Sequence, residues 1–422
     1  MAGFRFRAKL RELFGRKHGS NLDSWLPEAC LRPSGSGSFV EDNNDFAFAM
    51  YGQLRLRPGN LFFSPFSIRT ALAMTRAGAK GGTAAQMTNA LHISSSDEVL
   101  HSNFAEMIQR LNVAGRGKGE LVLANSVWGQ EGTPLQPGFI ELLARYYNGT
   151  MTLVDFRHAP EATRETINKW VAEQTRQKIR DLIPAGSLDA DTRLALANAV
   201  YFKGMWVLPF DRAATRDELF WLEGGGTVQA PLMYQQEQVR YLMTRGYQAV
   251  DLDYRDIDLS MLVLLPVRKD GLQHLERTLT ARELCDCVAR MGVREVELFL
   301  PRFTLSWGTV DLSEQFAALG MTQAFTPAHA DFSGINGQKP PHEDSLFISA
   351  VYHKAFAEVN EEGTEAAAAS AVLTPPTAAP GAFKPPSVPI FRADHPFLFA
   401  IRDRRSGTIL FLGRVADPTR ES

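Results

Sequence analysis

Four polar residues of types that could perform hydrolytic chemistry stand out in the sequence: Ser64, Ser67, Asn198 and His353. A catalytic serine needs an exposed site and hydrogen-bond donors that stabilise a developing oxyanion. These four residues are instead embedded among apolar residues at regular spacing. The sequence also lacks a GxSxG nucleophile motif, a GxxxxGKS/T phosphate loop and an HExxH zinc motif. We therefore predict a buried structural cluster, with no catalytic residue and no metal site.

Alternation along two predicted strands buries the asparagine and the histidine of this set. Asn198 shares a strand face with Leu196 and Val200, and His353 shares one with Val351. A buried amide without hydrogen-bond partners costs roughly 1–3 kcal/mol. Asn198 must therefore face other polar groups inside the fold.

The elements that position these residues are helices followed by many strands. Ser64 as cap and Pro65 in the first turn predict a helix towards Gly78, and Pro160 begins another. The apolar stripe of the second helix consists of Ile167, Trp170, Val171 and Ile179. Strands are predicted at 194–202, 247–254, 259–265, 295–300 and 347–359, and a hairpin at 397–401 and 409–412. This pattern predicts an α+β fold with large, mostly antiparallel sheets.

Composition excludes several functional classes. The chain has 422 residues, of which 45% are hydrophobic and 22% charged, as in a folded protein with a large core. The formal net charge of −2 gives no global attraction for nucleic acid, and no apolar run approaches the roughly 20 residues of a membrane span. Cys30, Cys285 and Cys287 are too few for a disulfide framework, and we interpret them as ordinary thiols.

The amino-terminal region differs from the rest of the chain. Residues 1–20 contain six Lys or Arg residues against Glu12, and 33–38 form a Pro/Gly/Ser linker. The tail lacks the apolar region of a secretory signal. We expect 1–41 to be a basic tail and linker, and 42–422 to form a single domain.

The segment from Glu361 to Val372 has an unusual composition. If it is extended, one face carries only small or uncharged side chains, at Thr364, Ala366 and Ala368 and onward to Val372. Such a face can enter a crowded sheet interior without clashes. The Pro-rich stretch that follows has the composition of a linker.

Six separated blocks, in order, resemble hallmark sequences of the serpin family. The blocks are 60–68, 167–171, 198–206, 260–266, 361–369 and 393–399. The resemblance covers the chain from Asn43 to Pro418. It implies three sheets wrapped by eight or nine helices, with an exposed reactive-centre loop at about 361–390 that acts as bait for a serine protease.

The resemblance also assigns roles to individual residues. Ser64, Ser67, Asn198 and His353 match the family's shutter, under the opening of the main sheet, and Trp206 matches its breach. The hinge that inserts into that sheet matches Glu361, Glu362, Gly363, Thr364, Glu365, Ala366, Ala367, Ala368 and Ala369. In the family mechanism the protease forms an acyl-enzyme with the loop. The amino-terminal part of the loop then inserts into the main sheet, and this movement distorts the active site of the protease.

The family places the scissile bond fourteen residues past the hinge glycine, which gives Thr377–Ala378. Counting back eleven residues from Pro396 gives Pro385 instead, and we favour the hinge count because tether length on that side determines how tightly the protease is pulled. Small residues at the cut suit elastase-like or subtilisin-like proteases. Phe383 would suit a chymotrypsin-like enzyme, but a cut there leaves six more residues between the hinge and the protease, which should favour its escape.

Two hypotheses about activity remain. The first is an inhibitor that forms a covalent complex with a serine protease and acts as a monomer. The second is a non-inhibitory serpin-fold binding or carrier protein whose loop is only a protease substrate. Residues 97–112, where the resemblance places a heparin-binding helix in some relatives, are acidic, so we expect no cofactor. Relatives are mostly secreted, but no signal is visible, so extracellular and cytoplasmic locations both stay open.

Overall fold

A computed structural model describes residues 39–114, 120–364 and 388–421. Within them are ten α-helices, numbered α1 to α10 in chain order, whereas the resemblance implies eight or nine. The helices are Phe39–Leu54, Pro65–Arg76, Gly81–Ala90, Asp97–Ala114, Pro137–Tyr147, Pro160–Gln174, Leu272–Thr278, Ala281–Arg290, Ser313–Ala318 and Ser333–Asn336. Helix α2 begins as predicted, because the Ser64 side chain caps it by accepting a hydrogen bond from the Ser67 N–H at 3.2 Å.

Fifteen strands, β1 to β15, lie in the same residues. They are Leu61–Phe63, Glu120–Gln130, Met151–Val154, Leu194–Met205, Arg216–Trp221, Thr227–Met243, Tyr247–Asp253, Leu259–Pro266, Gly292–Pro301, Phe303–Asp311, Ile348–Asn360, Gly363–Thr364, Ile390–Arg392, Phe397–Asp403 and Ile409–Val415. The predicted strands and the carboxy-terminal hairpin of β14 and β15 are all present. The predicted α+β class is confirmed.

The strands form two sheets. Nine strands belong to one sheet, in the order β1-β15-β14-β8-β7-β6-β9-β13, with β5 paired to β6. The other has six strands in the order β10-β11-β12-β4-β2-β3. The resemblance implies three sheets, whereas the described residues form two. The difference arises because β6 is a long strand of 17 residues. The amino-terminal end of β6 pairs with β5, its middle with β9 and its carboxy-terminal end with β7, so one continuous strand joins what would otherwise be separate sheets.

The main hydrophobic core fills the space between the two sheets and the helices that pack on them. Its members include Phe62, Phe202 and Phe411, whose rings stack or tilt against one another. A smaller core lies on the other face of the six-stranded sheet, where α6 covers the alanines of β4. Each face of β4 is therefore buried, which explains why the strand contains so few polar residues.

Two further expectations, on the end of a helix and on a cysteine, differ from the structure. The apolar stripe of α6 was extended to Ile179, but the helix ends at Gln174, and Arg176 and Gln177 have positive φ angles of 52° and 66°. Ile179 is still buried, in the chain that follows the helix. Cys287 is a buried thiol, whereas Cys285 is disulfide-bonded, so the interpretation as ordinary thiols is wrong for Cys285.

Among the described residues, no helix combines the length and apolar composition that crossing a bilayer requires.

Candidate functional site

The candidate site is the boundary between β4 and β11 in the six-stranded sheet, which we call the seam. The two strands run parallel and pair directly, from Leu194 with Ile348 to Phe202 with Ala357. Among the strands that the structure describes, the other neighbours of β4 and β11 are all antiparallel to them. Parallel ladders are slightly less stable per residue than antiparallel ones. The seam is therefore a place where the sheet could exchange one ladder for another.

A network of buried polar side chains occupies the middle of the seam. Asn198 of β4 and His353 of β11 are directly paired in register, and the His353 Nδ1 is hydrogen-bonded to the Asn198 Oδ1. The Asn198 Nδ2 donates to the Ser67 Oγ at 2.7 Å. The Ser64 Oγ donates to the Leu410 carbonyl at 2.7 Å. All four residues of the predicted cluster thus lie together, and their side chains connect the two strands to helix α2.

The hydrogen bonds of His353 define its protonation state. Its Nε2 accepts a hydrogen bond from the Ser64 backbone N–H at 3.3 Å, so the proton of the neutral ring resides on Nδ1 and is donated to Asn198. Burial lowers the pKa of His353 to about 3, from an ordinary value of 6.5. A second ring proton would point at the Ser64 N–H, which is another donor. The imidazole is therefore a neutral structural group and has neither the exposure nor the basicity of a catalytic base.

Sequence reasoning missed one member of this network, Asn125 of β2. It lies opposite Asn198 in the antiparallel pair of β2 and β4. Its Oδ1 accepts a hydrogen bond from the Ser67 Oγ at 2.8 Å and another from the Asn198 Nδ2. The available signal was a second asparagine within an apolar strand, which needs a polar partner for the same reason as Asn198 does.

At one end of the seam, a two-residue strand already lies between β4 and β11. This strand, β12, consists of Gly363 and Thr364, and both are buried. Thr364 lies opposite Val359 of β11 and Gly204 of β4, and both pairings are antiparallel. A Cβ atom on Gly363 would lie 2.0 Å from the Gly204 carbonyl oxygen, and the φ angle of Gly363 is 150°. Only glycine therefore fits at this position.

Trp206 anchors the turn that leads into β12. Its indole Nε1–H donates to the Asn360 carbonyl at 3.0 Å, and its backbone N–H donates to the Glu362 carbonyl at 2.9 Å. The Phe210 N–H donates to the Glu361 carbonyl at 2.8 Å. The reversal of direction between β11 and β12 is thereby fixed by the chain that follows β4.

Two acidic side chains of the same turn are paired with cations. The Glu361 carboxylate accepts hydrogen bonds from the Arg302 guanidinium and, at 2.7 Å, from the Thr215 hydroxyl. Burial alone would raise the pKa of Glu361, but these hydrogen bonds outweigh it and hold that pKa below its usual range. Glu362 forms an ion pair with Arg212, 2.6 Å apart. Each of the two carboxylates is therefore held by an arginine from outside the turn.

The remaining sequence-predicted site residues lie outside the described part of the chain. These residues are Glu365, Ala366, Ala367, Ala368 and Ala369 of the hinge, and Thr377 and Ala378 of the reactive bond. The chain leaves β12 at Thr364 and returns at 388, where Pro389 and β13 lie against β9. A segment of 23 residues, 365–387, therefore connects the end of the seam to the edge of the nine-stranded sheet.

Known proteins resemble this chain along most of its length. A family model described as "Serpin (serine protease inhibitor)" matches residues 41–418. A leukocyte elastase inhibitor of Bos taurus is 41% identical over 368 residues, which cover 85% of this chain and 93% of that protein. Serpin B3 of Homo sapiens is 36% identical over 404 residues, with 90% of this chain and all of that protein covered. Human thyroxine-binding globulin, solved with its ligand, superposes with a TM-score of 0.80 at 29% identity, covering 90% of this chain and 99% of that one. The chain therefore belongs to the serpin family.

Proposed function

We propose that this serpin inhibits serine endopeptidases by trapping them as a covalent complex. The protease serine attacks the carbonyl carbon of Thr377 and forms an ester, and the amino group of Ala378 leaves. The loop on the ester side then extends β12 into the seam and carries the protease with it. The observation that carries this proposal is β12 itself, which occupies the end of the seam in the direction that an inserting strand requires.

The register of β12 predicts where each further residue of the loop would lie. For residues paired between β12 and β11, the two residue numbers add up to 723, as they do for 364 and 359. For residues paired between β12 and β4 they add up to 568, as they do for 364 and 204. Ala366 would then lie between Ala357 and Phe202. Ser370 would lie between His353 and Asn198, so that its hydroxyl meets the polar network at the middle of the seam. The small alternating residues that the sequence places in this segment fit these positions.

Insertion would replace one parallel ladder by two antiparallel ladders. About ten loop residues could enter before Pro375 and Pro376, which lack the N–H groups that a ladder needs. At roughly 1 kcal/mol net for each additional hydrogen bond, the gain is on the order of 10 kcal/mol. This free energy is available only after the loop is cut, because the uncut segment is tied to β13.

Trapping depends on a competition between insertion and hydrolysis of the ester. Enzymes of this kind turn over at roughly 1 to 10³ per second, so insertion must be faster. Each additional 1.4 kcal/mol or so in the insertion barrier shifts the partition tenfold towards simple cleavage. We propose that Trp206 serves as the breach and that Ser64, Ser67, Asn198 and His353 serve as the shutter, the contacts that set this barrier.

The proposed targets are elastase-like or subtilisin-like proteases. Thr377 and Ala378 are small, and shallow primary pockets accept such residues. The bovine relative named a leukocyte elastase inhibitor supports the first of the two classes. We further propose that the protein acts as a monomer whose single domain comprises residues 42–422.

A binding or carrier protein is the second candidate function. Thyroxine-binding globulin has a similar structure at 29% identity and was solved as a complex with a small ligand. The Pro-rich stretch beyond Thr377 also lengthens the loop on the far side of the cut. Such a protein would keep the fold, and proteases would only nick its loop.

The test is incubation with an elastase-like and a subtilisin-like protease, followed by denaturing electrophoresis. Inhibition predicts a covalent band with the summed mass of the protease and the cleaved serpin. Protease whose active-site serine has been converted to alanine is the control and should give no band. If every protease tested nicks the loop and none is retained, the inhibitor proposal is wrong and the carrier hypothesis is favoured.

A further inference from the structure

Tyr254, which the sequence analysis did not identify, contacts Thr364, the last residue of β12. It follows β7, in the nine-stranded sheet, and its hydroxyl shares a hydrogen bond of 2.9 Å with the hydroxyl of Thr364. Both residues are buried. This contact joins the start of the inserting segment to a part of the chain that does not move with the loop.

The ring of Tyr254 is held rigidly in place. It stacks on Trp206 with ring centroids 4.6 Å apart and an interplanar angle of 14°. It also meets the Phe202 ring edge to face, at 4.9 Å and 79°. A Cβ atom on Gly204 would lie 2.5 Å from the Tyr254 ring, so the glycine at that position of β4 makes room for it. The hydroxyl is consequently presented to Thr364 from a fixed point.

The register of β12 determines which side chains of the rest of the loop would face the buried side of the sheet. Successive strand residues face opposite sides of a sheet, so a slip by one residue exchanges the two faces. Thr364 faces the Tyr254 hydroxyl, and if the loop continued in the same register, Ala366 and Ala368 would face that side as well. A one-residue slip would turn Glu365 towards that buried side, where an unpaired carboxylate is strongly disfavoured. If the register of β12 continued without a slip, Glu365 would lie between Lys203 of β4 and Glu358 of β11 on the other face, where both of those residues are only partly buried.

We infer that Tyr254 is a positioning residue that sets the register of loop insertion, by holding Thr364 in place before the loop is cut. The inference rests on the proposed function. Insertion then begins from an ordered first pair, and the loop need not search for its alignment after cleavage. Forming the first pair of a ladder is the costly step, and each later residue adds to an existing one, as in other cooperative transitions.

The test uses Tyr254→Phe, which keeps the ring and removes the hydroxyl. Thr364→Val removes the other hydroxyl at similar volume, and the double variant replaces the polar pair by an apolar one. Tyr147→Phe is the matched control, because the Tyr147 hydroxyl is buried and hydrogen-bonded to His101 at 2.6 Å, away from the seam. Two quantities are measured: the number of serpin molecules consumed per protease trapped, and amide hydrogen exchange of residues 361–364 in the intact protein.

We expect Tyr254→Phe to consume about tenfold more serpin per trapped protease, since an unpaired Thr364 hydroxyl disfavours the first pair by about one hydrogen bond. Exchange at 361–364 should rise in parallel. The double variant should recover towards the unmodified protein, and Tyr147→Phe should change neither quantity. The inference is overturned if Tyr254→Phe behaves like Tyr147→Phe, if it traps protease more efficiently, or if the double variant shows no recovery. If no protease is trapped by the unmodified protein, the proposed function fails, and exchange at 361–364 still decides whether Tyr254 fixes the first pair.

Discussion

The two parts of the seam are built differently. At the β12 end, Gly363 and Thr364 separate β4 from β11, and the turn before them is tied to Trp206 and Arg302. At the middle, Asn198 and His353 pair directly and their side chains hydrogen-bond across the boundary. The first part is already open and occupied by the loop, whereas the second is closed by a polar network. We therefore propose that the seam would open from β12 towards the middle, and that the polar network would resist this opening.

The largest effect is expected from a charge in the inserting face. Under the proposed insertion, Ala368 would lie between Ala355 and Val200, both buried, so Ala368→Arg would force a guanidinium into the core. We expect the covalent band to disappear while loop cleavage continues at an unchanged rate. Denaturing electrophoresis after incubation with the target protease measures both products.

Ala368→Ser is the control for that experiment, because a small hydroxyl can be accommodated and the band should persist. Position 368 is preferable to 364, where an arginine would disturb the intact protein as well, because Thr364 is already buried there. An undiminished band from Ala368→Arg would refute insertion in the proposed register.

A second prediction concerns the middle of the seam in the uncut protein. Asn198→Ala removes the group that connects His353, Ser67 and Asn125, and it leaves buried polar atoms without partners. We expect the intact protein to lose about 2–4 kcal/mol of unfolding free energy. The loss should be smaller in the cleaved protein, because the proposed insertion would bring Ser370 between the two strands.

Asn60→Ala provides the matched comparison. Asn60 is also buried and makes four hydrogen bonds with the carboxy-terminal segment, at 2.7 to 2.9 Å, away from the seam. Urea unfolding should show equal losses for intact and cleaved Asn60→Ala. If Asn198→Ala also affects both forms equally, the network has no special role in keeping the seam closed.

How much of this site the sequence predicts depends on whether the signal is local. The cap at Ser64, the alternation around Asn198 and the small face from Thr364 onward are local patterns, and the structure places the corresponding described residues in α2, β4 and β12. Asn125 could not be identified from sequence because its partners, Ser67 and Asn198, lie in two other elements, and the residues of its own strand give no information about them. Hinge composition alone also gives no sign that Gly363 and Thr364 are already within the sheet.

Tyr254 illustrates the same limit for packing. Its proposed role follows from contacts with Trp206 and Thr364, which are distant from it in sequence. The end of α6 was misplaced for a related reason. Ile179 continues the apolar spacing of the helix, but the two residues with positive φ that precede it redirect the chain, and burial is then achieved without helical structure.

A smaller, pH-dependent effect should distinguish the middle of the seam from the β12 end. The folded-state pKa of His353, about 3, lies below the ordinary 6.5, so the unfolded chain binds a proton more readily than the folded one. The stability contributed by the neutral ring is therefore present above pH 6.5 and is lost as the pH falls towards 3. Between pH 7 and pH 5 the loss is about 2 kcal/mol.

Comparison with His353→Gln isolates this contribution, because other carboxylates titrate in both proteins. At pH 7 the variant should be the less stable of the two, and the difference in urea-unfolding free energy should shrink by about 2 kcal/mol at pH 5. A difference that stays constant with pH would mean that His353 is not held neutral in the folded protein.

The most direct test of the account compares the thermal unfolding of the intact protein with that of protein nicked within residues 365–387. A loop that inserts fully extends β12 along the whole seam, and a gain on the order of 10 kcal/mol should raise the midpoint by about 10 °C or more. Equal midpoints for the two forms would contradict the account, because the seam would then have remained closed after the cut.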